Sequence, residues 1–219
     1  MNNKKSKILI DVDDVIVDGA FLDAINKFKG TNYTEDEFTT YFFDEEVFNS
    51  NELKEYRKFL VSYDLYKNCR LMQGVKEIMP ILNRCMDVYL CSSCIVKGLE
   101  EKSGIFFKRK YDFLYRTFPY IDPHKYIFTT SKNNFKGVDF QVDDLLSNLQ
   151  GEVTNRKILF TRHHNKDIPF EVLRNKRITR VTDWYELLYH IYYRDIHASA
   201  YEFWKDESKN VFELTKDVI

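Results

Sequence analysis

The chain has 219 residues, 44% hydrophobic and 31% charged, enough for one good-sized α/β core with a charged surface and room for a small appendage. Glycine (7) and proline (4) fall well below average usage, which argues against low-complexity, collagen-like or Pro-rich linker architecture. With a formal net charge of −1 the composition carries no general attraction to a nucleic acid polymer or an anionic membrane, so a polyanionic partner has to be small and locally bound.

The first segment, Met1 to Lys7, is polar and basic, and only Ile8, Leu9 and Ile10 follow before Asp11. That run is too short for the apolar stretch of a secretory leader, and no run approaches the roughly 18–20 residues of a membrane span. The four cysteines, Cys69, Cys85, Cys91 and Cys94, do not form a disulfide framework in a chain of this length, and a reducing cytoplasm is expected.

Lys7 to Asp13 is a short apolar run ending in carboxylates, which predicts a buried central strand with an active edge. From about Asp18 to Gln73 there is no strand pattern, only helical spacing rich in aromatics such as Phe21, Phe28, Tyr41, Phe42, Phe43 and Phe48. This is longer than one crossover helix needs and predicts a helical subdomain inserted over residues 18–73. A helix over Val75 to Met86 follows, then strands at Asp87–Cys91, Lys125–Phe128, Val138–Val142, Lys157–Phe160 and Arg177–Val181, and a helix over Trp184–Tyr193. The alternation predicts an α/β fold, a Rossmann-like and mainly parallel sheet with helices on both faces, formed by residues 1–17 and 74–219. The tail from His197 is helix-compatible, with Phe203, Trp204, Phe212 and Leu214 as core contacts.

Asp11 and Asp13 lie two apart at a strand end, so both carboxylates leave one side of an extended chain, where open parallel sheets bind ligands. Two like charges there repel unless a cation lies between them, and oxygen-only ligands suit Mg²⁺. A solvated surface loop, or the metal-binding Asp-x-Asp of a sugar-nucleotide transferase, gives the same pattern. Asp143 and Asp144 end a second apolar run, which points to one metal site with ligands from both strands, although a pair of acids there can also cap a helix beginning at Leu145.

Ser92 and Ser93 close the strand at Val88 before an expected helix, where hydroxyls and free N–H groups make an anion site or simply a helix cap. Cys91-Ser-Ser-Cys94 also fits a redox Cys-x-x-Cys. Lys132 can reach a phosphate near the carboxylates, with Lys136 as the competing choice and a solvated loop lysine as the plainer one. His163 and His164 follow a strand with no third ligand nearby and read as surface polar residues.

The order Asp11-Val-Asp13, Ser92, Lys132, Asp143-Asp144 resembles the four motifs of the haloacid dehalogenase-like phosphatases. Within them the chain resembles the 5′(3′)-deoxyribonucleotidases from Ile8 to about Tyr189, through Ile8 to Asp18, Leu90-Cys-Ser-Ser93, Lys110 to Pro119, Val142-Asp-Asp144 and Lys157 to Asn165. It departs at Asp14, where a glycine is usual, at Ser92 in place of Thr, at Cys94 in place of Pro, and at Thr130 in place of an Arg. The resemblance implies a Mg²⁺-dependent phosphomonoesterase acting on a nucleoside monophosphate. In it Asp11 is the nucleophile and Asp13 the general acid and base, while Ser92, Ser93 and Lys132 hold the phosphate. The cation is held by Asp11, the main-chain carbonyl of Asp13 and one of Asp143 or Asp144. The insertion then acts as a cap whose Phe42 and Phe43 hold the base, although such aromatics can equally be the cap's own core. The likeness leaves a homodimer open. Another small phosphate ester as substrate, and a non-catalytic phosphate-binding module, remain the alternatives.

Overall fold

The computed structural model describes residues 5–153 and 155–192. The expected helix and contacts of the tail beyond His197 lie outside the described residues. Strand β1 (Lys7–Asp11) is followed by β2 (Val17–Asp18), α1 (Ala20–Lys29), α2 (Phe43–Val47), α3 (Ser50–Ser62) and β3 (Arg70–Leu71). Then come α4 (Val75–Cys85), β4 (Asp87–Ser92), α5 (Ser103–Thr117), β5 (Tyr126–Phe128) and β6 (Phe140–Asp143). The described part closes with β7 (Arg156–Phe160), α6 (Phe170–Asn175), β8 (Ile178–Val181) and α7 (Trp184–Tyr192).

Six strands form one parallel sheet in the order β5-β4-β1-β6-β7-β8. The chain runs outward from β1 through β4 to β5, then crosses to β6 on the other flank. β1 therefore sits at the switch in strand order, where the crevice beyond the carboxyl ends of the strands opens. Ile10 is in register with both Leu90 and Val142, so Asp11, Cys91 and Asp143 arrive side by side.

β1 is apolar on both faces because both are covered. Ile8, Ile10 and Val12 join the main core with Val75, Ile78, Met79 and Leu82 of α4, whereas Leu9 packs with Cys91 and Val138 on the other side. This alternation runs through Val12, so Asp11 and Asp13 share the face that Leu9 begins. The turn after Asp13 is held from below: buried Trp184 donates its indole N–H to the Val15 carbonyl at 2.8 Å. Gly74, at φ +87°, makes room for it, since a Cβ there would lie 2.9 Å from the Trp184 Cβ.

The helical insertion after the first strand carries α1, α2 and α3, which pack around Phe28, Phe48, Tyr56 and Phe59 with ring centroids 4.7–6.3 Å apart. The sequence predicts no strand between Asp18 and Gln73, but β2 and β3 pair antiparallel, Val17 with Leu71 and Asp18 with Arg70. Two residues are too few to show an alternation, yet this ribbon brings the two ends of the insertion together. The insertion is also capped from the core: the Arg109 guanidinium of α5 donates to the carbonyls of Leu60, Val61 and Tyr63 at 2.8–3.0 Å. A cation on the last carbonyls of α3 satisfies acceptors the helix cannot, and complements its dipole.

Candidate active site

Asp11, Asp143 and Asp144 each offer a carboxylate oxygen to a cluster whose members lie within 4.8 Å of one another, and all three are buried. Asp11 Oδ1 accepts from the Val12 N–H at 2.6 Å, and its Oδ2 lies 2.7 Å from the Lys132 ammonium. The same ammonium donates to Asp143 Oδ2 at 2.8 Å. Lys132 stands on a short 3₁₀ turn after β5 and is buried, whereas the competing Lys136 is exposed. Burial, opposed by Lys132, pushes the Asp11 carboxyl up to about 7. Burial works against charge on Lys132 as well, but Asp11 and Asp143 outweigh it and hold its pKa above the ordinary lysine value.

Asp143 is fully engaged, because its Oδ1 also accepts from the Leu145 N–H at 3.0 Å and from Asn148 at 2.9 Å. These bonds brace the approach to a 3₁₀ turn, Leu146–Gln150, but do not cap it: no α-helix begins at Leu145, and the turn's N-cap, Leu145, has no side-chain capping bond. Asp144 differs. It is 1% exposed, and neither carboxylate oxygen has a hydrogen-bond donor. His164 Nε2 lies 3.3 Å from Oδ2 but directs its hydrogen bond to the Asp144 carbonyl at 3.1 Å. Burial, then the charges of Asp11 and Asp143, push the Asp144 carboxyl well above its usual range. A buried carboxylate without donors, beside two others, fits a hard divalent cation.

Asp13 points into a different set of partners. Its Oδ2 accepts from the Lys110 ammonium at 2.5 Å and from the Ser92 hydroxyl at 3.3 Å, and its Oδ1 from the Tyr66 hydroxyl at 2.8 Å. Its carboxylate lies outside the three-carboxylate cluster, which leaves the main-chain carbonyl as the route by which Asp13 could touch a metal. Lys110 also donates to Ser92 Oγ at 2.6 Å and to the Ser93 carbonyl at 2.9 Å, and sits 5.3 Å above the Tyr66 ring. Asp11, Asp13, Asp143 and Asp144 therefore face two ammonium groups, and one divalent cation would balance the remainder.

No helix begins directly after Ser93, so the helix N-terminus expected there is absent. Residues 93–99 are irregular and α5 begins only at Ser103, so Ser92 meets the crevice as a strand end. The Ser93 hydroxyl turns locally and accepts from the Ile95 N–H at 3.3 Å. Cys91 and Cys94 are buried free thiols, which burial pushes up to about 12 and about 11. That is opposite to what an attacking thiolate requires.

Above the carboxylates lies a cavity of about 380 Å³, lined on the inserted side by Phe21, Tyr41, Phe42, Phe43, Tyr56 and Tyr66. The two aromatics predicted to hold a ligand divide. Phe42 is 52% exposed at the rim, while Phe43 is 3% exposed, 4.9 Å from Phe38 and stacked on His163 at 4.7 Å. Tyr41 is nearer the charges: its ring lies 5.2 Å from that of His164, and burial together with Asp144, Asp14, Asp13 and Asp11 raises its pKa well above the usual phenol value.

His163 and His164 correct the surface reading. Asn165 closes a tight turn beneath Asp144, donating to the Asp144 and Phe160 carbonyls at 2.8 Å each and accepting from the Arg162 N–H at 3.1 Å. That turn drives both imidazoles inward, His163 to 7% exposure, with Nε2 at 2.9 Å from the Thr40 carbonyl. Burial pushes His164 down to about 4. Asp14, expected where backbone freedom is useful, does sit at φ +56°, and its carboxylate is 3.6 Å from Arg162.

Tyr66 and Lys110 escape the sequence reading of the site. Tyr66 lies in the connection between α3 and β3 with no periodic signal. Lys110 had one: Phe106, Lys110, Phe113 and Leu114 form the buried stripe of α5, so this lysine falls on the apolar side of its helix.

Comparison with known proteins bears on this geometry. A family model described as 5′ nucleotidase, deoxy (pyrimidine), cytosolic type C protein matches residues 5–194. Proteins named "Putative 5′(3′)-deoxyribonucleotidase" from Staphylococcus epidermidis and Staphylococcus aureus are 25% identical over 190 residues, which is 82% of this chain and 92% of theirs. Among solved structures, a conserved haloacid dehalogenase-like protein from Agrobacterium tumefaciens superposes with a TM-score of 0.52 at 17% identity, covering 85% of this chain and 97% of that one. The family model spans most of the chain, and the chain belongs to the family described as 5′ nucleotidase, deoxy (pyrimidine), cytosolic type C protein.

Proposed function

We propose that this hydrolase is a Mg²⁺-dependent phosphomonoesterase that dephosphorylates (deoxy)ribonucleoside monophosphates through an aspartyl-phosphate. The observation that carries the reading is the buried Asp144 carboxylate, donor-free beside Asp11, under a cavity walled by aromatic rings.

In this reading a carboxylate oxygen of Asp11 attacks phosphorus and the bond to the leaving alcohol breaks, while Asp13 delivers its proton to that alcohol. Water then attacks the acyl phosphate, giving a proton to Asp13, and inorganic phosphate leaves. Lys132 and the hydroxyls of Ser92 and Ser93 hold the phosphoryl oxygens. Asp11, Asp144 and the Asp13 carbonyl would hold Mg²⁺, with Asp143 occupied by Lys132 and the following turn; the ion would supply charge neutralisation between the carboxylates and the incoming dianion. Residues 18–73 act as the cap, excluding water and presenting Phe42, with Phe43 behind it, to the base. The cytoplasm is the proposed setting, consistent with four free thiols.

Phosphate release from a panel of nucleoside monophosphates and sugar phosphates, with Mg²⁺ and with chelator, tests this. Fastest turnover of the nucleotides, abolished by chelator, supports it. Preference for a sugar phosphate transfers the protein to another substrate class, and binding of phosphate without turnover makes it a non-catalytic module.

A further inference from the structure

The loop after β7 touches both the cap and the metal-ligand candidates. On the cap side, the Arg162 guanidinium bonds Glu35 and lies 3.1 Å from Asp18 Oδ1 and 3.6 Å from Asp14 Oδ1. His163 lies beside the same acid, its Nδ1 3.5 Å from Glu35 Oε2 without a hydrogen bond, and its Nε2 donates to the Thr40 carbonyl. Its ring stacks on Phe43 with an interplanar angle of 25°. On the core side, His164 and Asn165 hold the carbonyl of Asp144. Four consecutive residues thus connect the Tyr41-Phe42-Phe43 strip to Asp144.

The other seams around the cavity differ in kind. At the opposite rim the Lys97 to Glu45 pair, 2.8 Å, is made by well-exposed side chains, worth little when solvated. Arg109 grips the far end of α3 but makes no contact with the aromatic strip. Among the described residues, the Arg162 and His163 contacts tie residues 35–43 to the core loop through side chains 10% and 1% exposed, beside the edge contact of Tyr41 with His164.

We infer that Arg162 and His163, acting through Glu35 and Thr40, are positioning residues for substrate selection: they fix the cap strip over the phosphate site, so that leaving-group recognition depends on a core loop that never touches the leaving group. The inference rests on the cap reading the leaving group. It is specific to this seam, because one nitrogen of Arg162, Nη2, gathers Glu35, Asp18 and Asp14, while Nη1 lies 3.3 Å from Met72 Sδ.

The test is Glu35→Gln, which removes the shared acid while Asp14 and Asp18 still pair with Arg162, together with His163→Phe, which keeps the stacking on Phe43 but loses the hydrogen bond to the Thr40 carbonyl. Each variant is assayed on a deoxynucleoside monophosphate and on p-nitrophenyl phosphate, and amide exchange is followed over residues 35–43 and 103–117. Expected is a rise in KM for the nucleotide on the order of tenfold, with kcat and p-nitrophenyl phosphate turnover within about twofold. Exchange should quicken over 35–43 and stay unchanged in α5. Equal losses on both substrates, or a nucleotide KM unchanged while exchange quickens, overturns the inference. If the wild type turns over no nucleotide, the substrate reading fails separately. The same comparison, run with the bulkiest ester it does hydrolyse, still decides the positioning role.

Discussion

Replacing Lys110 by methionine removes the one cation that holds Asp13. Lys110 is 2% exposed, and its ammonium has three acceptors within 2.9 Å, Asp13 Oδ2, Ser92 Oγ and the Ser93 carbonyl, beside the Tyr66 ring. Breaking a buried pair by deleting one partner costs about 3–5 kcal/mol, because the remaining charge stays buried. Asp13 keeps the Tyr66 hydroxyl at 2.8 Å and is 12% exposed, and methionine fills most of the lysine stem, so the low end, about 3 kcal/mol, applies here. For a domain of this size that is a fall in Tm of roughly 6–12 °C. With Lys110 gone only Lys132, among the described residues, faces the four acids, so Mg²⁺ should restore part of the loss and raise the variant's Tm by more than the wild type's. Turnover at saturating Mg²⁺ should fall about 10²–10⁴-fold, the usual worth of a positioned acid-base group. Calorimetric melts with and without Mg²⁺, beside steady-state rates, measure both. An unchanged Tm would mean that the ion pair does not form, and a lowered Tm with full activity would mean that Lys110 stabilises the core without orienting Asp13.

Asp11→Asn keeps the shape of the side chain but leaves a very poor nucleophile, so turnover should drop at least about a thousandfold with the melt nearly intact; residual activity above a tenth of wild type would remove Asp11 from that role. The aromatic pair should separate: Phe42→Ala loses stacking of about 1–3 kcal/mol, or roughly 5- to 150-fold in kcat/KM for a nucleotide alone. Phe43→Ala, a core truncation, should instead lower stability by about 3–5 kcal/mol and slow all substrates together; identical behaviour of the two variants would refute the division. Metal binding should depend on pH in a fixed direction. Asp11 and Asp14 sit at about 7 in the folded protein against 3.8 for a free carboxyl, so the metal-free fold holds more protons than the unfolded chain between those values. Their stabilisation is complete below pH 4 and lost as pH rises through 7, and Mg²⁺ replaces the proton of Asp11, the one of the two in the carboxylate cluster. The Tm gain from Mg²⁺ should therefore grow from pH 5 to pH 8, and an equal or larger gain at pH 5 would contradict the assignment.

The six strands of the parallel sheet were legible because each is a short apolar run flanked by turns, and β1 reads as central because Ile8, Leu9 and Ile10 run without a polar break, all of them buried. The clustering of Asp11, Asp143 and Lys132 was legible because neighbouring strand ends converge, and the sequence marks those ends by the change from apolar to charged. What stayed hidden depends on how the insertion folds back. Tyr66 comes to Asp13 from 53 residues away in a loop, and only packing of the insertion aims it there. The histidines read as surface groups because a loop sequence does not reveal which way its turn closes, and Asn165 decides that. Phe42 and Phe43 are adjacent, and only the structure assigns one to the rim and the other to the seam. Lys110 sits among Lys108 and Arg109, and its neighbours' charge masks a position that helical spacing places in the core.

The most direct test is rapid-quench labelling with a deoxynucleoside monophosphate carrying radioactive phosphate, followed by mapping of the labelled peptide. The mechanism predicts a Mg²⁺-dependent burst approaching one phosphate per chain, labile to hydroxylamine as an acyl phosphate is, located on Asp11 and absent from Asp11→Asn. Turnover with no burst under conditions where formation outpaces hydrolysis, or a hydroxylamine-resistant label on Ser92 or a histidine, would contradict it.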